Sequence, residues 1–199
     1  MSFVVLGTDT DVGKTVVCAM LLAKLRTQYW KPIATGYPEM DDATTVRELT
    51  QNQYPILETL YVFSLPASPH LAAQKENKEI DITRLVEALK QAPPGTIIEG
   101  AGGVLVPLND QGVCYADVIA KTDLPVILVT RGTLGTINHT LLSLEALRMR
   151  DVKIKGVIIN GDITQDNARD IEHFGNVSVL GTIPKFQCLS PEVITHGLA

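Results

Sequence analysis

The chain has 199 residues, of which 45% are hydrophobic and 20% are charged. These proportions are typical of a globular protein and exclude a disordered or fibrous chain, and the length suits a single domain over residues 1–199. The 17 basic and 22 acidic side chains give a net charge of -5, so we expect no non-specific binding to nucleic acid or to acidic membranes.

The apolar stretches are too short to cross a membrane. The longest, at 16–23 and 124–129, fall well below the roughly 18 residues that a membrane span requires. The first residues carry neither a basic start nor a small-residue cleavage site, and the cysteines form no C-x-x-C pair. We therefore expect a cytoplasmic protein with no membrane partner and with no zinc or iron site.

Short apolar runs alternate with amphipathic stretches along the chain. The runs that we predict as strands are 3–6, 30–34, 96–98, 126–130, 156–159 and 177–180. Apolar residues at helical spacing predict helices around 17–25, 43–52, 82–89 and 137–147. This alternation is typical of βαβ units, so we expect an α/β fold with a mostly parallel central sheet and helices on both of its faces.

A glycine-containing loop, GTDTDVGKT at 7–15, joins the first predicted strand to the first predicted helix. This order is that of a Walker A-type loop, in which backbone N–H groups and the helix dipole face a phosphate. Lys14 adds positive charge there, and the Thr15 hydroxyl is suited to binding magnesium. The loop is a variant, because Thr8 stands where the first glycine is usual and Gly7 comes one residue earlier. A plain glycine turn is the alternative, but the context favours a P-loop NTPase fold.

Two acidic residues are candidates for completing a magnesium site. Glu99 follows the predicted strand 96–98 and precedes a glycine-rich turn, at the edge of the sheet where open α/β folds bind ligands. A charge at the end of a buried strand is costly unless it is paired or bound to a metal, which favours Glu99 as a ligand. Asp42 precedes the predicted helix 43–52, where an aspartate suits helix capping equally well.

Motifs along nearly the whole chain resemble the dethiobiotin synthetase family. They are GTDTDVGKT (7–15), KPIATG (31–36), DA (42–43), SPH (68–70), EGAGG (99–103), LPVILV (124–129), LGTINH (134–139) and IP (183–184). The Thr8 variant of the phosphate loop is the form that this family uses. The resemblance implies an ATP-dependent ligase that converts 7,8-diaminopelargonate and carbon dioxide into dethiobiotin, ADP and phosphate, with Mg2+ as cofactor. A carbamate and a carbamic-phosphoric anhydride are the implied intermediates.

The same resemblance implies roles for individual residues. Lys31 and Lys14 are expected to be catalytic, and Thr15, Asp42 and Glu99 to hold Mg2+. The residues expected to contact the nucleotide are Asp11, Val12, Gly13, Lys14, Thr15, Val16, Asp42, Glu99, Gly100, Ala101, Gly102, Asn160, Gly161, Ile183, Pro184 and Lys185. Those expected to contact the substrate are Thr35, Gly102, Thr136, Ile137 and Asn138. The turn 135–138 is expected to serve the partner subunit's site, so the resemblance implies a homodimer with substrate bound at the subunit interface.

Two other functions stay open from the sequence. One is a partition-type P-loop switch ATPase, against which Asp9 counts, since those proteins carry a signature lysine near the start of the loop. The other is a related ATP-dependent synthetase with another substrate. Such enzymes normally carry a fused glutaminase domain, and we find no Cys-His-Glu arrangement at amidotransferase spacing.

Overall fold

Strands and helices alternate along the part of the chain that the computed structural model describes, residues 1–39, 41–162 and 165–198. The strands there are β1 (Phe3–Gly7), β2 (Tyr29–Trp30), β3 (Ile33–Thr35), β4 (Tyr61–Phe63), β5 (Ile97–Gly103), β6 (Val126–Arg131), β7 (Ile154–Asn160) and β8 (Val179–Ile183). The helices there are α1 (Lys14–Leu25), α2 (Asp42–Leu49), α3 (Pro69–Lys75), α4 (Ile82–Lys90), α5 (Tyr115–Ala120), α6 (Thr136–Arg148), α7 (Gln165–Gly175) and α8 (Pro191–His196). No described helix is long and apolar enough to cross a membrane.

The central sheet has the strand order β2-β5-β1-β6-β7-β8. Every neighbouring pair in it is parallel. Parallel neighbours need a crossover connection, and helices provide most of these connections here. The short strands β3 and β4 form a separate parallel pair. The prediction of an α/β fold with a mostly parallel sheet is therefore confirmed.

Helices cover both faces of this sheet. Successive side chains of a strand point to opposite faces, and in β1 Val4 and Leu6 belong to one buried cluster while Phe3 and Val5 belong to the other. The first cluster draws on α4, α5, α6 and α7 through residues such as Leu85, Val118, Leu144 and Ile171. The second draws on α1, α2 and α8 through residues such as Val17, Val46 and Ile194. The prediction of helices on both faces is confirmed.

The predicted strands differ in their bounds from the structure, and two of these differences affect the region of the site. The run 30–34 is interrupted at Pro32, so that β2 pairs with β5 in the central sheet and β3 pairs with β4. Proline has no N–H to continue a ladder, and its carbonyl accepts hydrogen bonds from the N–H groups of Leu60 and Tyr61, at 3.1 and 3.0 Å. Glu99 does not end its strand, since β5 continues to Gly103, which pairs with Gly7 of β1. The pairing is irregular between Val5 and Gly7, and Gly102 has a positive φ of 64°.

The topology brings three functional segments to one edge of the sheet. The phosphate loop follows β1, Lys31 follows β2, and Glu99 lies in β5 between these two strands. Ligands of open α/β sheets bind at this carboxyl edge.

Candidate active site

The loop between β1 and α1 is held in a tight turn around its own lysine. Gly13 precedes α1 in a left-handed conformation, with φ 88° and ψ 28°, which favours glycine. The Nζ of Lys14 donates a hydrogen bond to the carbonyl of Asp9 at 3.1 Å, so the side chain folds back over the loop. A Cβ on Gly7 would lie 2.6 Å from that same carbonyl oxygen, which explains why a glycine is needed at Gly7 although Thr8 occupies the usual position.

A cluster of charged and hydroxyl groups lies beside the loop. The Oγ1 of Thr15 is 2.7 Å from Asp42 Oδ1 and 3.0 Å from Glu99 Oε1. The Nζ of Lys31 is 2.5 Å from Asp42 Oδ2 and 2.8 Å from Glu99 Oε1, and it also donates to the carbonyl of Gly100 at 3.2 Å. Lys31 and Glu99 are both buried. The ammonium thus joins the two carboxylates, at the mouth of the phosphate loop.

Asp42 is free for this role because another residue caps its helix. The side chain of Asp41 accepts a hydrogen bond from the N–H of Ala43, at 3.1 Å, and forms the N-cap of α2. The capping alternative for Asp42 is therefore wrong. Its carboxylate contacts Thr15 and Lys31 instead.

The burial of these groups sets their protonation states. Burial alone lowers the pKa of Lys31, but the carboxylates of Glu99 and Asp42 outweigh this effect, and its pKa is raised above the ordinary lysine value. Burial likewise raises the pKa of Asp42, but Lys31 and the Thr15 hydroxyl outweigh it and hold that pKa below its usual range. At neutral pH the Lys31 side chain is therefore an ammonium and the Asp42 side chain a carboxylate.

Lys14 is electrostatically different from Lys31. Burial lowers its pKa, and the positive charge of Lys31 lowers it further. An anion placed against the loop offsets both effects, because it stabilises the charged ammonium. Lys14 is therefore prepared for a phosphate ligand.

Two further side chains contact Glu99 from the core. The hydroxyl of Tyr29 donates to Glu99 Oε2 at 2.8 Å. Burial raises the pKa of Tyr29 well above its ordinary value and the Glu99 charge adds to this, so the phenol is protonated. The pKa of the buried Cys18 thiol is raised for the same two reasons. Neither residue was predicted as part of the site.

A cleft of about 450 Å³ opens over the loop and this cluster. The predicted site residues that line it are Asp11, Gly13, Lys14, Thr15, Val16, Lys31, Thr35, Asp42, Glu99, Ala101 and Gly102. Thr10, Ile33 and Thr45 also line it and were not predicted, although each lies within or one turn beyond a matched motif. Gly100 contributes its carbonyl to Lys31, as described above.

Five of the residues predicted to contact the nucleotide lie next to the phosphate loop and not in the cleft. The Nδ2 of Asn160 donates to the carbonyl of Val12 at 2.9 Å. The N–H of Gly161 donates to Ile183 at 2.7 Å, and the N–H of Lys185 donates to Asp162 Oδ1 at 3.4 Å. Pro184 lies between Ile183 and Lys185, so these predicted residues are together, next to the loop but outside the lining of the cleft.

The structure does not bring the turn before α6 into the cleft of the same chain. Thr136 lines a separate hollow of about 80 Å³, and its buried hydroxyl is 2.9 Å from Thr130 Oγ1. Ile137 is half-buried and Asn138 is exposed, both in the first turn of α6. The N–H groups of such a turn have no partners within the helix, so they are suited to an anion.

The donor set suits magnesium. Asp42 Oδ1 and Glu99 Oε1 both lie within 3.0 Å of Thr15 Oγ1, and hard oxygen donors beside phosphates are the ligands that Mg2+ prefers in NTPase sites. Within the described residues no group of three or more His, Cys, Asp or Glu side chains is arranged to hold a metal.

The fold and the loop together define a P-loop nucleotide-binding protein. Solved structures similar to it include a ParA family ATPase from Chlorobium tepidum (TM-score 0.62, 13% identity, covering 94% of this chain and 85% of that one). Another is the cell division ATPase MinD of Pyrococcus furiosus (TM-score 0.57, 19% identity, covering 94% and 84%). At these identities the likeness shows the fold alone.

Sequence comparison is more specific than the fold. A family model described as an AAA domain matches residues 1–193. The chain is 44% identical over 200 residues to the ATP-dependent dethiobiotin synthetase BioD of Agrobacterium fabrum, covering 100% of this chain and 93% of that protein. It is 44% identical over 197 residues to the enzyme of the same name from Brucella ovis, covering 98% and 92%. The chain belongs to the dethiobiotin synthetase family.

Proposed function

We propose that this chain is an ATP-dependent ligase that forms dethiobiotin from 7,8-diaminopelargonate and carbon dioxide and releases ADP and phosphate. The observation that carries the proposal is the buried Lys31 ammonium joined to Asp42 and Glu99 beside the phosphate loop. A nucleotide switch needs a phosphate loop and a metal site. A second ammonium besides Lys14, held by two carboxylates at the mouth of the loop, suits transfer of the phosphoryl group to another anion.

The phosphate loop binds the nucleotide in this proposal. The N–H groups of residues 11–16 and the Lys14 ammonium face the phosphates, since α1 begins at this point and its dipole favours negative charge. Asn160, Gly161, Ile183, Pro184 and Lys185 contact the base. The bond from Asn160 to Val12 links the base end to the phosphate end of the site.

Thr15, Asp42 and Glu99 are the residues that would hold Mg2+, which when bound neutralises charge across the phosphates. Asp42 and Glu99 hold the Lys31 ammonium in this structure. Once another cation balances the two carboxylates, the ammonium is free to move toward the reacting groups. Its flexible four-carbon stem permits this movement.

The reaction has three steps, and Lys31 assists the second. A substrate amine adds to carbon dioxide and loses a proton, giving a carbamate. A carbamate oxygen then attacks the γ-phosphorus as the bond to ADP breaks, and the Lys31 ammonium stabilises the charge on both anions. The second amine attacks the carbamoyl carbon and loses a proton, and the bond from that carbon to the phosphoryl oxygen breaks, so that the ring closes as phosphate leaves. Thr35, Gly102 and Lys31 hold the substrate over the loop, which supplies proximity.

The rest of the substrate site is proposed to come from a second copy of the chain. Thr136, Ile137 and Asn138 lie outside the cleft of their own chain, at a helix N-terminus suited to a carboxylate. Leu134, just before them, is fully exposed. Both features support a homodimer in which this turn binds the substrate's carboxylate tail in the partner's cleft. We also propose that residues 1–199 form one domain and that the protein acts in the cytoplasm.

One assay tests the proposal. The pure protein is incubated with MgATP, 7,8-diaminopelargonate and isotopically labelled bicarbonate, and the products are identified by mass spectrometry. We expect labelled dethiobiotin and ADP in equal amounts. Phosphate release that is independent of the diamine, with no labelled product, would contradict the proposal and favour a switch ATPase.

A further inference from the structure

The two carboxylate oxygens of Glu99 have different partners. Oε1 lies 2.8 Å from Lys31 Nζ and 3.0 Å from Thr15 Oγ1, on the side of the phosphate loop. Oε2 accepts the hydroxyl of Tyr29 at 2.8 Å, on the side of the core. One oxygen therefore faces the groups of the proposed reaction, and the other is held by a group that takes no part in it.

The backbone explains why Tyr29 and Lys31 both contact Glu99. They are two residues apart at the end of β2, and side chains two apart on an extended chain share a face. Trp30, between them, belongs to the buried cluster on the opposite face of the sheet from Tyr29. β2 runs beside β5, with Tyr29 opposite Ile97 and Trp30 opposite Ile98. The register therefore brings Tyr29 and Lys31 to the same side of the sheet as Glu99.

We propose that Tyr29 is a positioning residue that holds the Glu99 carboxylate through Oε2, so that Oε1 stays directed at the phosphate loop when Lys31 moves away. The inference rests on the proposed role of Glu99 as a magnesium ligand. Without Tyr29, Glu99 depends on Lys31 and Thr15, and on the weak donor Cys18, for its orientation. In that case the Glu99 carboxylate can rotate when the Lys31 ammonium moves to the substrate.

A purely structural role makes different predictions. If the hydroxyl only satisfies a buried oxygen, its removal lowers the stability of the protein and leaves the metal dependence of nucleotide binding unchanged. If it positions Glu99, its removal weakens the metal-dependent part of nucleotide binding. Groups that orient a metal ligand typically change metal affinity or activity by about 10- to 100-fold when they are replaced.

The test variant is Tyr29→Phe, which removes one hydroxyl from a buried ring. Its matched control is Tyr54→Phe, since the Tyr54 hydroxyl makes a 3.4 Å hydrogen bond to the carbonyl of Ala23, away from the cleft. ADP affinity is measured by calorimetry with Mg2+ and with EDTA. We expect Tyr29→Phe to lower the gain in affinity from Mg2+ by about tenfold and to leave the affinity in EDTA unchanged. We expect Tyr54→Phe to match the wild type in both.

Kinetic measurements and a double variant add two further readouts. The kcat for dethiobiotin should fall by a similar factor in Tyr29→Phe, with the KM for the diamine little changed. In a Glu99→Gln background, Tyr29→Phe should have no further effect on the gain from Mg2+, because both changes act through one carboxylate. The proposal would be overturned if folded Tyr29→Phe gained as much ADP affinity from Mg2+ as the wild type does. It would also be overturned if the effects of the two changes were fully additive in the double variant.

A measurement on the unmodified protein covers the case in which Tyr29→Phe does not fold. In protein labelled with ring-13C tyrosine, the buried Tyr29 hydroxyl proton should give a slowly exchanging resonance that persists when MgADP binds. Loss of that resonance on binding would overturn the proposal. Failure of the wild type to make dethiobiotin would contradict the proposed function instead, and the calorimetric comparison would still test the hydrogen bond.

Discussion

The side-chain amide of Asn160, at the end of β7, occupies the space that a side chain on Gly13 would need. A Cβ built on Gly13 would overlap the Nδ2 of Asn160, which donates to the carbonyl of Val12 at 2.9 Å. The last residue of one strand thus fixes the phosphate loop that follows another, two strands away in the sheet. The geometry of the loop depends on this contact, and the contact joins the loop to the residues proposed to bind the base.

This contact predicts a specific effect of Gly13→Ala. The added methyl group displaces Asn160, and alanine at this position has to adopt a strained left-handed conformation. We therefore expect a loss of stability. We also expect ADP binding to weaken by about tenfold or more, which corresponds to about 1.4 kcal/mol or more. The matched control is Gly112→Ala, because Gly112 has a similar φ of 78° but nothing within 4 Å of its Cβ position.

Chemical denaturation measures the loss of stability, and calorimetry measures the loss of ADP affinity. Gly112→Ala should cost only the conformational strain, about 1 kcal/mol, and leave ADP binding unchanged. If the two variants lose the same stability and Gly13→Ala still binds ADP normally, Asn160 does not constrain the loop.

The role of Lys31 predicts that binding and catalysis can be separated. Lys31→Met keeps the length of the side chain and removes its charge. Because phosphate binding is assigned to Lys14 and the loop in the proposed function, we expect ADP affinity in Mg2+ to be retained. We expect kcat to fall by about 10²- to 10³-fold, as when one charge-stabilising donor is lost. Product formation and calorimetry are the measurements, with the exposed Lys90→Met as control.

Two outcomes would contradict this assignment of Lys31. Loss of ADP binding with normal turnover at saturating ATP would make Lys31 a nucleotide ligand. An unchanged kcat would remove it from the reaction altogether. Lys90→Met must keep the wild-type kcat. Only then can the fall in kcat of Lys31→Met be attributed to the position of Lys31 and not to the loss of a positive charge.

Local patterns predicted the phosphate loop and its surroundings, but they misplaced Glu99. The spacing of Gly7, Gly13 and Lys14 between an apolar run and an amphipathic run is a local signal, so the strand, loop and helix were predicted correctly. The glycines at 100, 102 and 103 also gave a local signal, and it was misleading about where the strand ends. Glycine is typical of turns, and Gly102 does have a positive φ of 64°. The strand nevertheless continues because Gly103 pairs with Gly7 of β1, and only the tertiary structure provides that pairing.

The contacts between distant segments could not be predicted from the residues alone. Tyr29 lies just before the predicted strand 30–34 and carries no signal of its own, and its partner Glu99 is 70 positions away. The assignment of Asp42 was open because Asp41 and Asp42 are both plausible caps, and only the hydrogen bond from Ala43 decides between them. The resemblance to a family supplied the proposed roles of Lys31 and Asn160, whose residue types carry no such signal on their own.

The proposed homodimer predicts that a bulky residue at position 138 affects the substrate more than the nucleotide. Asn138 is exposed in the first turn of α6. We expect Asn138→Trp to raise the KM for the diamine by about tenfold or more, corresponding to about 1.4 kcal/mol of lost binding, and to leave ADP affinity unchanged. Glu145→Trp, at an exposed position further along the same helix, is the control.

Steady-state kinetics and light scattering decide this prediction. The shared site would be supported if the wild type had the mass of two chains and if Asn138→Trp raised the KM for the diamine without changing ADP affinity. A monomeric wild type that makes dethiobiotin would contradict it. Equal loss of diamine and nucleotide binding would indicate a disturbed fold instead.

A surface ion pair away from the cleft predicts part of the pH dependence of stability. Asp117 Oδ1 accepts from Arg150 Nε at 2.6 Å, and its Oδ2 accepts from the N–H of Cys114 at 2.8 Å. Partial burial raises the pKa of Asp117, but the hydrogen bonds from Cys114 and the charge of Arg150 outweigh this and lower its pKa to about 2 from 3.8. Because the folded pKa is depressed, the stabilisation is present above the unfolded value and is lost as the pH falls toward about 2.

We therefore expect Asp117→Asn to be less stable than the wild type at neutral pH and the difference to shrink as the pH falls from about 4 toward about 2. Urea unfolding at a series of pH values measures this difference. Asp123→Asn is the control, because the Asp123 side chain is fully exposed and its nearest cation, Lys153 Nζ, is 3.6 Å away. A difference between wild type and Asp117→Asn that stays constant with pH would show that the carboxylate contributes through its shape and hydrogen bonding, with no contribution from its charge.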